Sequence, residues 1–286
     1  MALDIKTYDM IGDNAWCPGC GNFDILAVLK QTLADLELAP HEVLMVSGIG
    51  QAAKTPHYIN ANGFNGLHGR AVPPAVGAKL ANKDLQVIIS TGDGDTYGEG
   101  GNHLLHNIRR NVDLVHIVHD NQVYGLTKGQ GSPTTSLGQI TSMQLDGVKV
   151  NPLNPVSMAL GLGCTFVARS FSGAREHLSG VLKEAIKHPG YALVDVLQNC
   201  VSFNKVNTYK WYQDHTYFID PDHDRTDLQK AFKLAQEWEQ GIPLGIFYKV
   251  ERPTLIDRIP WLKEGKPLID RSWTPQDAKR FLADFQ

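Results

Sequence analysis

The chain has 286 residues, 42% hydrophobic and 20% charged, and its 27 basic against 30 acidic side chains leave a formal charge of −3. That balance describes an ordinary globular protein and argues against a nucleic-acid binder held by net charge. No apolar run approaches a membrane span and the opening Met-Ala-Leu-Asp-Ile-Lys is no signal peptide, so no membrane contact and a cytoplasmic location are expected.

Four cysteines in a chain of this length do not make a disulfide framework, so their spacing is read as metal or redox chemistry. Trp16-Cys17-Pro18-Gly19-Cys20-Gly21 comes first. A Cys-x-x-Cys turn can place two thiolates on one metal with backbone N–H groups aimed at the sulfurs. Half a zinc ribbon and a redox dithiol share this spacing. A ribbon would need Cys164, Cys200 or a histidine to close it, and a thioredoxin-type pair would follow a strand, which is absent here. Cys164, between a glycine-rich turn and a core strand, reads as a buried structural thiol.

Asn22 to Leu38 has a helical period, with Ile25, Leu26, Leu29, Leu33 and Leu36 on one face. Glu42 to Val46 is a short strand that runs into Ser47-Gly48-Ile49-Gly50. Gly48-x-Gly50-x-x-Ala53 has the form of a dinucleotide fingerprint, but the acidic residue wanted about 20 positions later is missing. Pro73 to Asn82 is helical, with prolines at its start. Leu85 to Thr91 is a buried strand ending at Gly92-Asp93-Gly94-Asp95, a helix follows from roughly Gly98 to Arg110, and Leu114 to His119 is a strand ending at Asp120-Asn121. Tyr124 to Pro155 is a long Gly-, Ser- and Thr-rich loop, and loops of that length are usually functional. A helix from Pro155, a strand at Thr165–Arg169, a helix over Gly173–His188 and a strand at Tyr191–Leu197 continue the alternation. The pattern predicts an α/β doubly wound, mostly parallel sheet over residues 1–205, with residues 206–286 an extension packed on it.

In a βαβ unit the strands are parallel neighbours, so their carboxyl ends meet at the edge where open α/β sheets bind ligands. That edge would hold the Asp93 carboxylate, the Asn121 amide and close-approach glycines. Such oxygen ligands suit Mg²⁺, which takes one or two carboxylates from protein and the rest from phosphate and water. The spacing therefore points to a Mg²⁺-diphosphate site. Other patterns fail on their own chemistry. Lys128 is followed by Gly where a P-loop has Ser or Thr, Asp220, Asp222 and Asp224 lack the glycine and glutamate of a calcium loop, and His103 and His106 suit helix packing.

Gly-Asp-Gly followed nearly thirty residues later by Asn resembles the pattern of thiamine diphosphate enzymes. Together with Trp16–Cys20, Ser47–Gly50, Gly63-Phe64, Leu67–Arg70, Gly101–His103, Arg109–Asn111, Tyr124–Gln130, Ser132–Thr134 and Pro243–Gly245, it makes the chain similar to the β subunit of 2-oxoacid:ferredoxin oxidoreductases. The resemblance implies the thiamine diphosphate-binding fold, with Asp93, Asn121 and the Val123 carbonyl on Mg²⁺. Gly48, Gly50, Gly92, Gly94, Asp95, Tyr124, Gly125 and Leu126 would join them in holding the cofactor. It also implies one [4Fe–4S] cluster. Cys17, Cys20 and Cys200 match three of the family's four cysteines, and Gln51 stands at the remaining position. A three-cysteine cluster with an unusual fourth ligand or an open iron, recruitment of another side chain such as His57, and no cluster at all are the outcomes left open.

Lys54, Thr127 and Lys128 are candidates to hold substrate carboxylates near the thiazolium, and His68 joins them as a catalytic candidate. A second substrate carboxylate would favour Lys54, which points to 2-oxoglutarate over pyruvate. The family brings its pyrimidine-activating glutamate on a separate α subunit, in an α₂β₂ assembly that uses coenzyme A and ferredoxin. Its reaction makes an acyl-CoA and CO₂ and can run in reverse. A non-oxidative thiamine decarboxylase and a zinc-stabilised binding subunit are the competing readings.

Overall fold

The computed structural model describes residues 3–283. Its strands are β1 (Val43–Ser47), β2 (Asn62–Asn65), β3 (Gln86–Gly92), β4 (Leu114–Asp120), β5 (Val123–Tyr124), β6 (Gln130–Gly131), β7 (Phe166–Phe171), β8 (Tyr191–Leu197), β9 (Thr216–Phe218) and β10 (Ile242–Lys249). Between them run α1 (Asn22–Asp35), α2 (Val72–Ala81), α3 (Gly101–Arg110), α4 (Pro155–Gly161), α5 (Arg175–Ile186), α6 (Tyr209–His215) and α7 (Leu228–Ala235). Eight strands form one sheet in the order β2-β1-β3-β4-β8-β7-β10-β9, parallel except where β10 runs against β7. The doubly wound, mostly parallel sheet expected from the sequence is the observed fold.

Strands β4 and β8 are buried along their whole length, as near-continuous apolar runs covered on both faces should be. The apolar faces of α1 and α5, among them Leu29, Leu33, Leu178 and Leu182, cover one side. Helices α2, α3, α4 and α7 cover the other through side chains such as Ala75, Leu104, Leu160 and Ala231. Helix α1 stops at Asp35, short of the expected Leu38, because Glu37 takes a left-handed conformation (φ 55°) that ends the helical path.

Three departures from the sequence pattern have local causes. The helix expected from Gly98 begins instead with a π-helical turn over Gly94–Glu99. Thr91 Oγ1 bonds Thr96 Oγ1 at 2.6 Å and Tyr97 donates to Asp195 at 3.0 Å, tertiary ties that side-chain periodicity does not display. Edge strand β2 escapes an apolar search because all four residues are exposed. Its side-chain amides hold it: Asn62 donates to His41 O and Val43 O, and Asn65 to Ser47 Oγ and Ala53 O. The segment after 205 does more than pack on the domain, because it supplies β9 and β10 to the sheet itself. The long loop holds the small hairpin β5–β6 and leaves Leu137, Ile140, Met143, Leu145 and Val150 exposed.

Candidate active site

The register brings four strand ends to one edge. Val46 of β1 lies beside Ile89 of β3, Gly92 of β3 beside His119 of β4, and Asp120 of β4 beside Leu197 of β8. The segments leaving those strands carry Gly48–Gln51, Asp93, Asn121 and Cys200, so four distant stretches of sequence become neighbours. Gly50, His68, Gly92, Asp93, Gly94, Asp95, Asn121, Val123, Tyr124, Gly125, Leu126 and Thr127 line one cavity of about 80 Å³. Gly48 stands behind it, where a Cβ would collide with the Asp95 carboxylate. Lys54, on the 3₁₀ turn Ala52–His57, and the exposed Lys128 (φ 83°) are not among the lining residues.

Asp93 is buried and accepts hydrogen bonds from Ser132 Oγ and, at 2.7 Å, from Thr134 Oγ1. Burial pushes its carboxyl up to about 6 against the lowering effect of those hydroxyls. Among the described residues no protein cation pairs with it. A buried carboxylate that accepts hydrogen bonds from hydroxyls and backbone N–H groups, in a cavity also lined by Asn121 and Val123, fits a hard divalent cation and a diphosphate. Asn121 Oδ1 accepts from Val123 N at 3.0 Å, which fixes the turn that carries both groups.

Asp95 works differently. Its Oδ1 accepts from Gly69 N at 2.7 Å and Ile49 N at 3.2 Å and bonds His68 Nδ1 at 2.6 Å. It thereby pins two loops to the Gly-Asp-Gly turn. Burial raises its pKa, with the Gly69 and His68 bonds opposing. His68 Nε2 lies 3.2 Å from Glu99 Oε2, and Glu99 accepts from the Tyr124 hydroxyl at 3.2 Å. Deeper in the sheet, Thr134 also donates to Asp120 Oδ1 at 2.8 Å, and Asp195 pairs with the fully buried Arg169 at 3.3 Å. Burial raises Asp120 and Asp195, and the neighbouring Asp195 and Asp93 carboxyls push Asp120 further.

The cysteines meet across the same edge. Cys17-Pro18-Gly19-Cys20 is a type II turn: Pro at its second position, Gly19 at φ 80° in its third, and Cys20 N donating to Cys17 O at 3.0 Å. Asn199 Nδ2 donates to Gly19 O at 2.9 Å, which ties the turn to the segment carrying Cys200. Cys17, Cys20 and Cys200 line a cavity of about 40 Å³ with Asn22, Gln51 and Gln198. Asn22 Nδ2, Gln51 Oε1 and Gln198 Oε1 are buried there without a hydrogen-bond partner. Burial pushes the Cys20 thiol up to about 11, opposed by the Asn22 backbone N–H. Ser202 donates to Cys17 Sγ at 3.1 Å and Phe203 N to Cys200 Sγ at 3.4 Å, the kind of N–H and O–H support that thiolates ligating a cluster receive. Cys164 lies apart, fully buried, with its thiol donating to backbone carbonyls of Phe166 and Tyr191.

Among the described residues no three His, Cys, Asp or Glu side chains stand close enough to hold a single metal ion. Sequence reasoning assigned no role to Glu99, Ser132, Thr134, Asn22 or Gln198. Ser132-Pro-Thr134 was visible as a motif, but its hydroxyls reach Asp93 only through the long loop's path. No local pattern marks Glu99.

This fold, with a buried Gly-Asp-Gly carboxylate at the strand ends, defines a thiamine diphosphate-binding enzyme subunit. The family model for the C-terminal TPP-binding domain of thiamine pyrophosphate enzymes matches residues 44–196, and the model for the C-terminal part of the β subunit of pyruvate ferredoxin oxidoreductase matches 200–264. A 2-oxoacid:ferredoxin oxidoreductase subunit β of Saccharolobus solfataricus is 44% identical over 90% of this chain and 94% of its own length. A subunit β from Aeropyrum pernix is 44% identical over 82% of this chain and 77% of that one. The solved 2-oxoglutarate:ferredoxin oxidoreductase of Magnetococcus marinus superposes with a TM-score of 0.92 at 34% identity, covering 98% of this chain and 96% of that one. The chain belongs to the β subunits of the 2-oxoacid:ferredoxin oxidoreductases. It is the thiamine diphosphate-binding part of an oxidoreductase that acts with partner subunits. Among the described residues no helix is long and apolar enough to cross a membrane.

Proposed function

We propose that this subunit, with an α subunit in an α₂β₂ assembly, oxidises 2-oxoglutarate in preference to pyruvate. Asp93, Asn121 and the Val123 carbonyl hold Mg²⁺, and Cys17, Cys20 and Cys200 hold a [4Fe–4S] cluster that passes electrons to ferredoxin. One observation carries this reading: the thiamine cavity and the cysteine cavity share Gln51, Asn121 and Gly125 as a common wall. Electrons released on one side of that wall have only its thickness to cross.

Thiamine diphosphate bound in the first cavity supplies the carbon that takes up the 2-oxoacid and stores the electron pair freed with CO₂. The chain's own residues do the rest. Asp95 holds the Ile49 and Gly69 turns in position. His68, a residue of the cavity lining, bridges Asp95 and Glu99 through its two ring nitrogens and so fixes the wall on that side. Lys54, Thr127 and Lys128 hold substrate carboxylates, Thr127 from within the cavity lining. The exposed apolar side chains of the long loop, Leu137 to Val150, are the surface for the α subunit, which brings the activating glutamate and shares in binding coenzyme A. The Magnetococcus marinus enzyme was solved with 2-oxoglutarate, coenzyme A and succinyl-CoA, and a Mycobacterium tuberculosis relative 45% identical over 66% of this chain is a 2-oxoglutarate oxidoreductase subunit. Both support the substrate choice.

The test is anaerobic co-purification with the α subunit, followed by coenzyme A-dependent dye reduction on 2-oxoglutarate and on pyruvate. Faster turnover of 2-oxoglutarate, a preference reduced by Lys54→Ala, is the expected result. Bound thiamine with no iron, and an aldehyde product, would instead favour the non-oxidative reading.

A further inference from the structure

Gln51 stands in the wall between the two cavities. Its Oε1 is buried without a partner, in the cavity that three thiols also line. Its backbone is locked on that spot: Trp16 Nε1 donates to Gln51 O at 2.9 Å, and Trp16 directly precedes Cys17. One indole therefore holds the amide and the cysteine turn in fixed relation. On the other side, a Cβ on Gly125 would stand 3.7 Å from Gln51 Cγ, so the side chain packs against the wall of the thiamine cavity. The obvious sulfur and imidazole donors do not reach the place. The Cys164 thiol is buried elsewhere and bonded to two carbonyls, and His57 is exposed and outside the cavity. Gln198 Oε1 also lacks a partner there, but no indole ties Gln198 to the cysteine turn, and it serves as the control.

Resting on the cluster reading above, we propose that Gln51 Oε1 holds the fourth iron in place of a thiolate. Three irons are then anchored by anionic sulfur and one by a neutral carboxamide oxygen. Two consequences follow. The cluster carries one negative charge less than a four-thiolate one, which raises its reduction potential. The oxygen-held iron is also the exchangeable one. On mild oxidation [4Fe–4S]²⁺ gives up one electron to an added oxidant such as ferricyanide and releases one Fe²⁺, leaving [3Fe–4S]⁺ on the three cysteines.

The experiment uses the anaerobically purified αβ complex, loaded to about four iron and four sulfide per β subunit. One equivalent of ferricyanide should produce the EPR signal of an oxidised three-iron cluster, with one Fe²⁺ per cluster caught by a chelator. Fe²⁺ with a reductant should restore the four-iron form. Gln51→Cys should resist this conversion and show a lower potential. Gln51→Ala should lose its fourth iron faster than the unaltered chain, and Gln198→Ala should lose it at the unaltered rate. Conversion of Gln51→Ala at the unaltered rate, faster loss in Gln198→Ala alone, or an unaltered cluster as resistant as that of Gln51→Cys overturns the assignment and leaves the cluster reading standing. A complex that binds thiamine but holds no iron removes the cluster reading and this inference with it.

Discussion

Around Asp93 and Asp95 the chain supplies hydrogen bonds from its own hydroxyls and backbone: Ser132 and Thr134 to the first, Ile49 N and Gly69 N to the second. Across Gln51, the amides of Asn22, Gln51 and Gln198 share a cavity with three thiols and leave an unpartnered atom each. The first region is organised by many weak contacts, so removing a helper should give a graded loss. The second is organised by one turn and by the identity of three sulfurs, so removing a thiol should be all-or-none. The contrast is between a site whose shape is redundant and a site whose donors are not.

The largest expected effect tests where the redundancy ends. Asp93→Asn keeps the shape and removes the charge, and should cut Mg²⁺-thiamine affinity and 2-oxoacid oxidation by at least about 100-fold, more than the loss expected from a residue beyond the ligands. Calorimetric titration of thiamine diphosphate with Mg²⁺ checks it, and an unfolding midpoint at least as high as before would show that the fold does not depend on that charge. Next, Cys20→Ser should abolish iron and sulfide incorporation while thiamine binding stays intact; parallel loss of both would mean the two regions are not separable. Smaller and graded, Thr134→Val should weaken Mg²⁺ affinity about 10- to 100-fold, since the hydroxyl orients the carboxylate without touching the metal. An all-or-none loss there would break the comparison.

The smallest effect is on stability. His116 and His119 are buried, and burial holds both down at about 3. His119 bonds Ser90 on one side and Asn22 on the other, a link between the sheet and the residue beside the cysteines. Because the folded values lie below the unfolded one, the stabilisation is fully present above about pH 6.5 and is lost as the pH falls toward 3, by about 1.4 kcal/mol per unit for each histidine. Asp93, pushed up to about 6, and Asp95, Asp120 and Asp195, which burial also raises, act in the opposite sense, so the histidine contribution is read as a difference between chains with and without it. Urea unfolding of the apo chain at pH 7, 6 and 5 should show the unaltered chain losing stability relative to His119→Gln as the pH falls.

What could be read in advance follows from how each feature is encoded. Strands β3, β4 and β8 are contiguous apolar runs, and Gly92–Asp95 and Asn121 follow two of them directly, so sheet, edge and the buried carboxylate at that edge were legible together. The strand β10 was not, because its neighbour β7 lies more than 70 residues earlier and its register is set by an antiparallel return. Ser132 and Thr134 were invisible as partners of Asp93 for the same reason, since a loop's path is decided by packing and not by period. The Cys-x-x-Cys pair announced itself, whereas the unpartnered amides of Asn22 and Gln198 belong to residues whose types carry no signal until the sheet places them. Lys54 and Lys128 were chosen for charge and sequence position, and charge alone does not say which way a loop faces.

The hydrogen bond from Asn199 Nδ2 to Gly19 O spans 180 residues of chain. It has a bearing on when the protein can be finished as well as on its shape. The Cys17–Cys20 turn leaves the ribosome early, but its third sulfur arrives only with the stretch after β8, and the strand beyond it in the sheet, β10, later still. Nothing can collect all three thiols on a nascent N-terminus. On the cluster reading proposed above, iron delivery is therefore a late event in the life of the polypeptide, and a chain interrupted before residue 200 would carry the Cys17 and Cys20 thiols with no third sulfur to complete them.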